Sequence, residues 1–404
     1  MDSSSIKFEK TIHSSVSNAY FAFTNSTGLK EWLCDYATIK PEPGGRFYAA
    51  WNSGYYAAGE YITVKENSKV EFSWRGKDEP AQTTVVVNFT GDNTTTRLTL
   101  IHKGIGQDDI WESFRQNCQE GWDNGLENLA SVLETGQDLR FTMRPMLGIG
   151  LNDFNQKIAD QLGVPTSDGI RIDSTLEGMG AQKAGLQSDD VIISIDGTRM
   201  KAVTDINKAL QGKRAGDMVE LEYYRGASKN SASMELSHRP LPEIIFDPQV
   251  MSEQIRMNFS DLSDELDRIT ADISEENASF KPTPEEWSIK EIIAHLIHAD
   301  RFWLGRIPEM VNGFERWADD PGTNLQPQIE STLDVYSTVD DLKTELLRTR
   351  AEIVALIKNL PEDFLERKSA YWRLGINFHD GPYHDHSHFE QMRKLLKIAH
   401  EGGS

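Results

Sequence analysis

The chain has 404 residues, a formal net charge of −21 and 38% hydrophobic residues. That length is too great for one ordinary core and predicts two to four domains at roughly 100–200 residues each, while the apolar share excludes global disorder. The acidity disfavours nucleic acid and anionic membrane surfaces as partners, because both present negative phosphate groups.

No run approaches the ~20 apolar residues of a membrane helix, so no membrane span is expected. Two cysteines, Cys34 and Cys118, make no disulfide framework, and a reducing compartment is the simpler reading. Met1-Asp2-Ser3-Ser4-Ser5 lacks the basic and apolar regions of a signal peptide. A cytoplasmic location is therefore expected. Glu401-Gly402-Gly403-Ser404 reads as a flexible tail.

Residues 1–138 read as strands followed by one long helix. Thr83, Val85, Val87 and Phe89 alternate with their neighbours, Gly91-Asp92-Asn93 supplies a turn, and Leu98, Leu100 and His102 alternate again. That pattern predicts a hairpin. Near Asp108 the period changes: Trp111, Phe114, Cys118, Trp122, Leu126, Leu129 and Leu133 recur every three or four residues. The run predicts an amphipathic helix of about six or seven turns. Trp51, Tyr55, Tyr56, Trp74 and Trp111 are either plain core or the lining of a cavity between sheet and helix. His102 reads as a satisfied sheet residue and Cys118 as a packed thiol.

Residues 141–240 alternate short strands, at Ile170–Ile172, Val191–Ile195 and Val219–Tyr224, with short helices at Ala181–Ala184 and Asp205–Leu210. Residues 245–401 are helical in pattern throughout. One helix is expected from Met251 to Ile273, and a second opens at the capping box Ser288-Ile289-Lys290-Glu291. A third runs from Thr338 to about Leu360, before Pro361, and a fourth from Tyr383 to about Ala399. Four such helices predict a bundle. The fold class expected is thus multidomain: an α+β domain, a mainly-β domain and an all-α four-helix bundle.

Most of the histidines fall in the last segment. His384 and His388 are four apart and share a helix face, whereas His386 points elsewhere. His295 lies on the second helix, which a bundle can bring opposite them. Three neutral imidazoles would hold a divalent metal with positions left open for water or substrate. Exposed helical histidines explain the bare spacing as well.

Family resemblances add to these readings. Residues 1–138 resemble the START-related (SRPBCC) superfamily in its branch of activators of the Hsp-ninety ATPase. The resemblance rests on Trp32, Pro43-Gly44-Gly45-Arg46-Phe47, Gly59-Glu60-Tyr61, Val70-Glu71-Phe72-Ser73-Trp74 and Gly121-Trp122. It implies a helix-grip fold, and an apolar small molecule held near Trp51, Tyr55, Trp74 and Trp111. The middle segment resembles a PDZ domain of the bacterial HtrA-protease type, through Leu147-Gly148-Ile149-Gly150, Ala181 to Leu186 and Asp190 to Gly197. That implies a peptide or protein C-terminus added as a strand. Its carboxylate would be received by Leu147, Gly148 and Ile149, beside a pocket walled by Ile206 and Leu210. Where the family has Gly-Asp, this chain has Asp189-Asp190, so the turn there is expected to be strained or differently shaped.

Residues 245–401 resemble the DinB-like family, which includes metal-dependent thiol transferases. Pro284 to Leu296 and Tyr383 to Gln391 carry the match. The ligands implied are His295, His384 and His388, for zinc, nickel or iron. Glu390 is a weak candidate acid or base and Asp300 a weaker one. The reading that follows is metal-dependent transfer or hydrolysis on a small molecule. The alternatives are a non-enzymatic adaptor or co-chaperone-like binding protein, and a purely structural role.

Overall fold

The computed structural model describes residues 4–316 and 323–402. Its contacts divide the chain into two compact units, one of residues 1–138 with 242–404 and one of 139–241. No helix among the described residues is long and apolar enough to cross a membrane.

The first unit begins with a seven-stranded antiparallel sheet. Its strands are β1 (Ser5–Ile12), β2 (Tyr36–Ile39), β3 (Arg46–Ala50), β4 (Tyr56–Lys65), β5 (Lys69–Gly76), β6 (Thr83–Gly91) and β7 (Thr96–Lys103). Their spatial order is β1-β7-β6-β5-β4-β3-β2. The expected hairpin is β6–β7, paired from Thr84 with Lys103 to Gly91 with Thr96. Helices α1 (Val16–Thr24) and α2 (Ser26–Trp32) fill the β1–β2 connection, and α3 (Glu112–Thr135) follows the sheet. Cys118, Trp122, Leu126, Leu129 and Val132 form the buried stripe of α3 and share one core with Phe47, Phe72, Val85 and Leu100. This is the helix-grip arrangement: inward residues alternate along each strand, and the helix lays its apolar face on them.

The second unit holds α4 (Leu139–Thr142), β8 (Ile149–Asn152), α5 (Gln156–Leu162), β9 (Ile170–Thr175), α6 (Gly180–Lys183), β10 (Val191–Ile195), β11 (Thr198–Arg199), α7 (Thr204–Ala209), β12 (Met218–Arg225) and β13 (Ser228–Glu235). The sheet runs β13-β12-β10-β9-β8, with β11 on β10. The Asp189-Asp190 turn is indeed unusual. Asp189 adopts a left-handed φ of 68°, where glycine has no steric cost, and its carboxylate accepts from Arg171 Nη2 at 2.6 Å. Asp190, fully buried, accepts from Arg225 Nε at 2.7 Å.

The chain then returns to the first unit as helices α8 (Pro248–Thr270), α9 (Glu275–Ala278), α10 (Ile289–Asn312), α11 (Gln326–Val335), α12 (Val339–Lys358), α13 (Glu362–Glu366) and α14 (Lys368–Gly402). The capping box forms as expected: Ser288 Oγ accepts from Glu291 N at 3.3 Å, and Glu291 Oε2 accepts from Ser288 N at 2.8 Å. The fourth helix corrects the expected start at Tyr383. It begins at Lys368 and carries Pro382 inside it. Gly381-Pro382 reads locally as a stop, but Tyr371, Leu374 and Phe378 upstream are buried against Ile307, Ile353 and Phe364, and that packing carries the helix through. It runs on through Glu401 and Gly402, and the rest of the expected tail lies outside the described residues.

The early turns of α14 also fasten the helix-grip segment to the bundle. Lys368 Nζ donates to the Glu134 carbonyl at 2.6 Å, and Arg373 donates to Glu31 at 3.0 Å and to Glu315 at 2.6 Å. Arg367 lies 4.8 Å over the Phe21 ring.

Candidate metal centre and neighbouring sites

His295 occupies the second turn of α10, buried, with Ile292, Ile293 and Leu296 packed around it. His384 and His388 sit one turn apart on α14. The fold brings all three together: one ring nitrogen from each lies within 4.8 Å of the others. Ring centroids are 4.7 Å apart for His295–His388, 4.7 Å for His384–His388 and 5.2 Å for His295–His384. Trp287 closes one side, 5.0 Å from His295 and stacked 6.3 Å from His388.

The hydrogen bonds assign the tautomers. His295 Nδ1 lies 3.0 Å from the Thr323 carbonyl. A carbonyl only accepts, so Nδ1–H donates and Nε2 keeps its lone pair. That Nε2 faces His384 Nε2 at 3.1 Å. His388 Nδ1 lies 3.2 Å from Gln391 Oε1, and donation to this oxygen leaves its Nε2 as the acceptor. Burial holds His295 down to about 4, with the two neighbouring histidines adding to the effect. Burial lowers His388 too. Both rings are neutral at pH 7, the form that ligates metals.

His384 Nε2 lies 3.1 Å from the His295 Nε2 lone pair, close enough to donate a proton to it or to share a cation with it. A tetrahedral ion with Zn–N bonds of about 2.0–2.1 Å sets its ligand nitrogens about 3.3 Å apart. The Thr323 and Gln391 contacts are the outer partners that orient metal-binding imidazoles. The donor set therefore fits a divalent cation.

The remaining candidates fall elsewhere. His298 turns toward α11, its Nε2 2.8 Å from Thr332 Oγ1. His386 faces α8, with Nδ1 3.0 Å from Glu265 Oε2. Glu390 is exposed and accepts from Arg393 at 2.5 Å, and its place two residues after His388 puts it on another helix face. Asp300, deeper in the bundle, accepts from Thr349 Oγ1 at 2.9 Å, and burial pushes it up to about 7.

Beside the histidine layer lies a charged layer with no counterpart in the sequence reading. Arg350 of α12, 3% exposed, donates to Asp385 of α14, stands 3.6 Å from Asp300 of α10, and rests 4.9 Å over Phe259 of α8. The available signal was an arginine on the apolar stripe of Leu342, Leu346, Ile353 and Ile357. The Thr323 contact had no signal, since it is made by a backbone oxygen.

In the helix-grip segment, Trp51, Tyr55 and Trp74 cluster together. Trp51 and Tyr55 centroids are 5.2 Å apart, and Tyr55 Oη and Trp74 Nε1 both donate to Glu79 Oε1, at 2.5 and 3.1 Å. Trp111 is buried on Phe114, 5.4 Å away. His102 is also buried. Its Nδ1 accepts from Trp122 Nε1 at 3.1 Å and lies 3.2 Å from Cys118 Sγ, and Nε2 lies 2.7 Å from Thr83 Oγ1. Burial pushes the Cys118 thiol up to about 12, which leaves it a poor nucleophile.

In the PDZ segment, Leu147 is buried, and Gly148 has a φ of 77°. A Cβ on Gly148 would meet Met179 Cβ at 2.4 Å. Ile149 opens β8, at the edge of its sheet, and packs with Ile206 and Leu210 against one core.

Family models match three consecutive segments. Residues 13–134 match "Activator of Hsp90 ATPase homolog 1-like protein", 145–236 match "PDZ domain" and 258–392 match "DinB superfamily". The chain thus combines a helix-grip, a PDZ and a DinB-type helical module, as the residues implied.

Among curated proteins, the chain is 33% identical over 119 residues to "Serine protease Do-like HtrA" of Lactococcus lactis subsp. lactis, covering 28% of this chain and 28% of that protein. It is 28% identical over 110 residues to "Probable periplasmic serine endoprotease DegP-like" of Marinomonas sp., covering 27% and 22%. The chain spans about a quarter of the length of these relatives. Among solved structures, an HSP90 activator from Plasmodium falciparum is 25% identical, covering 32% of this chain and 96% of that one, with a TM-score of 0.28. The Aha1 dimer from Colwellia psychrerythraea is 22% identical, covering 33% and 98%, with a TM-score of 0.29.

Proposed function

We propose that the bundle binds one divalent cation, zinc, nickel or ferrous iron, through His295, His384 and His388, and serves a metal-dependent transfer or hydrolysis on a small molecule. The observation that carries this reading is the convergence of the three rings, with one nitrogen of each within 4.8 Å of the others and the His295 Nε2 lone pair 3.1 Å from His384 Nε2. A bound cation supplies Lewis acidity, lowering the pKa of a water or thiol placed at it. The chain's own residues do the rest. Thr323 and Gln391 fix the two tautomers, Trp287 excludes water from one side, and Asp300, held near neutrality, is the nearby carboxyl able to keep or give up a proton at pH 7. Glu390, already bound to Arg393, is the weaker choice. An apolar small molecule near Trp51, Tyr55, Trp74 and Trp111 and a peptide C-terminus at the PDZ segment complete the proposal. The burial of both cysteines, Cys34 and Cys118, suits a cytoplasmic location.

The test is metal content of untagged protein by mass spectrometry, beside a His384→Ala, His388→Ala double variant. About one ion per chain, lost in the variant, supports the proposal and justifies screening thiol-transfer and hydrolysis reactions. No ion after incubation with zinc or nickel and desalting removes it.

A second reading, a non-enzymatic adaptor or co-chaperone-like protein, draws on β8, an edge strand that follows the left-handed Gly148. Such an edge takes an added strand. Saturable binding of a C-terminal peptide, abolished when its carboxylate is amidated, supports that reading. Equal binding of both forms rejects it.

A further inference from the structure

We infer that Arg350 is the positioning residue of the three-histidine centre and acts through Asp385. This rests on the metal-binding reading above. Asp385 follows His384 directly in the chain, so whatever holds Asp385 sets the rotation of that turn of α14. Arg350 holds it: the two are 3% and 8% exposed, and Arg350 Nη2 donates to the carboxylate. Arg350 is itself held from the other helices. Asp300 on α10 stands 3.6 Å from its Nε, Thr349 steadies Asp300 through a 2.9 Å hydrogen bond, and Phe259 on α8 lies 4.9 Å beneath the guanidinium. One side chain on α12 thus touches residues of α8, α10 and α14, beside the layer where α10 and α14 present their imidazoles.

The geometry explains why arginine stands on an otherwise apolar stripe. The Arg350 guanidinium donates to Asp385 through Nη2 while its charge also faces Asp300, an arrangement that a lysine ammonium does not reproduce. A hydrophobic residue would pack the bundle but would leave the turn carrying His384 free to rotate. His384 needs such support. Its side chain is 45% exposed and its Nδ1 stands 3.9 Å from Asp385 Oδ2, beyond hydrogen-bond distance, whereas His295 and His388 have Thr323 and Gln391 within hydrogen-bond distance of their Nδ1 atoms.

The test compares cobalt(II) binding in wild type and Arg350→Lys, which keeps the charge and loses the fork. The second variant is Arg350→Met combined with Asp300→Asn and Asp385→Asn, a neutral layer of similar volume. Such replacements of buried ion networks are often tolerated in folding. Circular dichroism and thermal unfolding establish that each variant is folded. The expected result is cobalt affinity about 10- to 100-fold weaker, the loss usual when an outer partner of a ligand is removed, with an altered visible spectrum from the changed ligand geometry. Wild-type affinity and spectrum in either folded variant overturn the inference while leaving the metal centre standing. Wild-type protein that binds no cobalt overturns the metal reading first. If Arg350→Lys does not fold, the triple variant decides; should that fail as well, Asp385→Asn, the mildest change, decides by the same two readouts.

Discussion

Two histidines are buried among the described residues, His102 and His295, and their surroundings are built in opposite ways. Around His102 every nitrogen meets a group of the chain itself: Trp122 donates to Nδ1, and Nε2–H reaches Thr83, whose hydroxyl donates onward to the Trp74 carbonyl at 3.1 Å. Around His295 the outer nitrogen is satisfied by Thr323, and the ring's inner side, among the described residues, faces the imidazoles of His384 and His388. Burial holds both rings down to about 4. The depressed pKa therefore does not separate them; the partner of the second nitrogen does. A closed network stabilises a core, whereas converging imidazoles offer a cation its ligands.

The sharpest way to break this comparison is metal binding. His384→Ala with His388→Ala is expected to lose the ion entirely, and His102→Ala to keep it, as measured by metal content after desalting. Loss in the His102 variant would erase the distinction. Next in size is stability without metal. His102→Ala strands the Trp122 N–H and opens a cavity, so it is expected to cost about 2–4 kcal/mol in denaturant titration. His295→Ala loses the contacts to Thr323 and His384 but strands no buried indole N–H, and is expected to cost under about 1.5 kcal/mol.

The pH dependence sharpens the comparison further. As pH falls through the usual 6.5, the unfolded chain protonates both histidines, while the folded chain resists until about 4. Stability from this source is therefore full above 6.5 and falls toward 4. Saturating zinc is expected to steepen that acid branch in wild type and to leave it unchanged in the His384→Ala, His388→Ala variant, as read from denaturation midpoints at pH 7, 5.5 and 4.5.

The last effect concerns Asp300, raised by burial from 3.8 to about 7. Here the folded state holds the extra proton, so stability is lost as pH rises through that window. Asp300→Asn is expected to gain about 2–3 kcal/mol more over wild type at pH 8 than at pH 5. Equal differences at the two pH values would contradict the raised value.

Local patterns carried much of the design. The alternation around Thr83–Phe89 and Leu98–His102 and the periodicity from Trp111 to Leu133 specify a hairpin and a helix that tertiary packing only had to bring together. The spacing of His384 and His388 puts them on one face of any helix, and the Ser288 capping box fixes where α10 starts and so the phase of His295. These features are local, because backbone geometry and short-range hydrogen bonds decide them.

Other features exist only across the fold. The continuation of α14 through Gly381-Pro382 depends on Tyr371, Leu374 and Phe378 being buried by other helices. The Thr323 carbonyl at His295 and the Arg350 contacts to Asp300 and Asp385 join residues from separate elements. The same holds for the pairing of Arg373 with Glu31, which unites the first and last segments in one unit. The sequence by itself determined which modules form and which imidazoles share a face, because those depend on neighbours a few residues apart. Only the tertiary structure decided which imidazole nitrogens converge and which charges are buried together, because desolvation and long-range contacts arise when the elements pack.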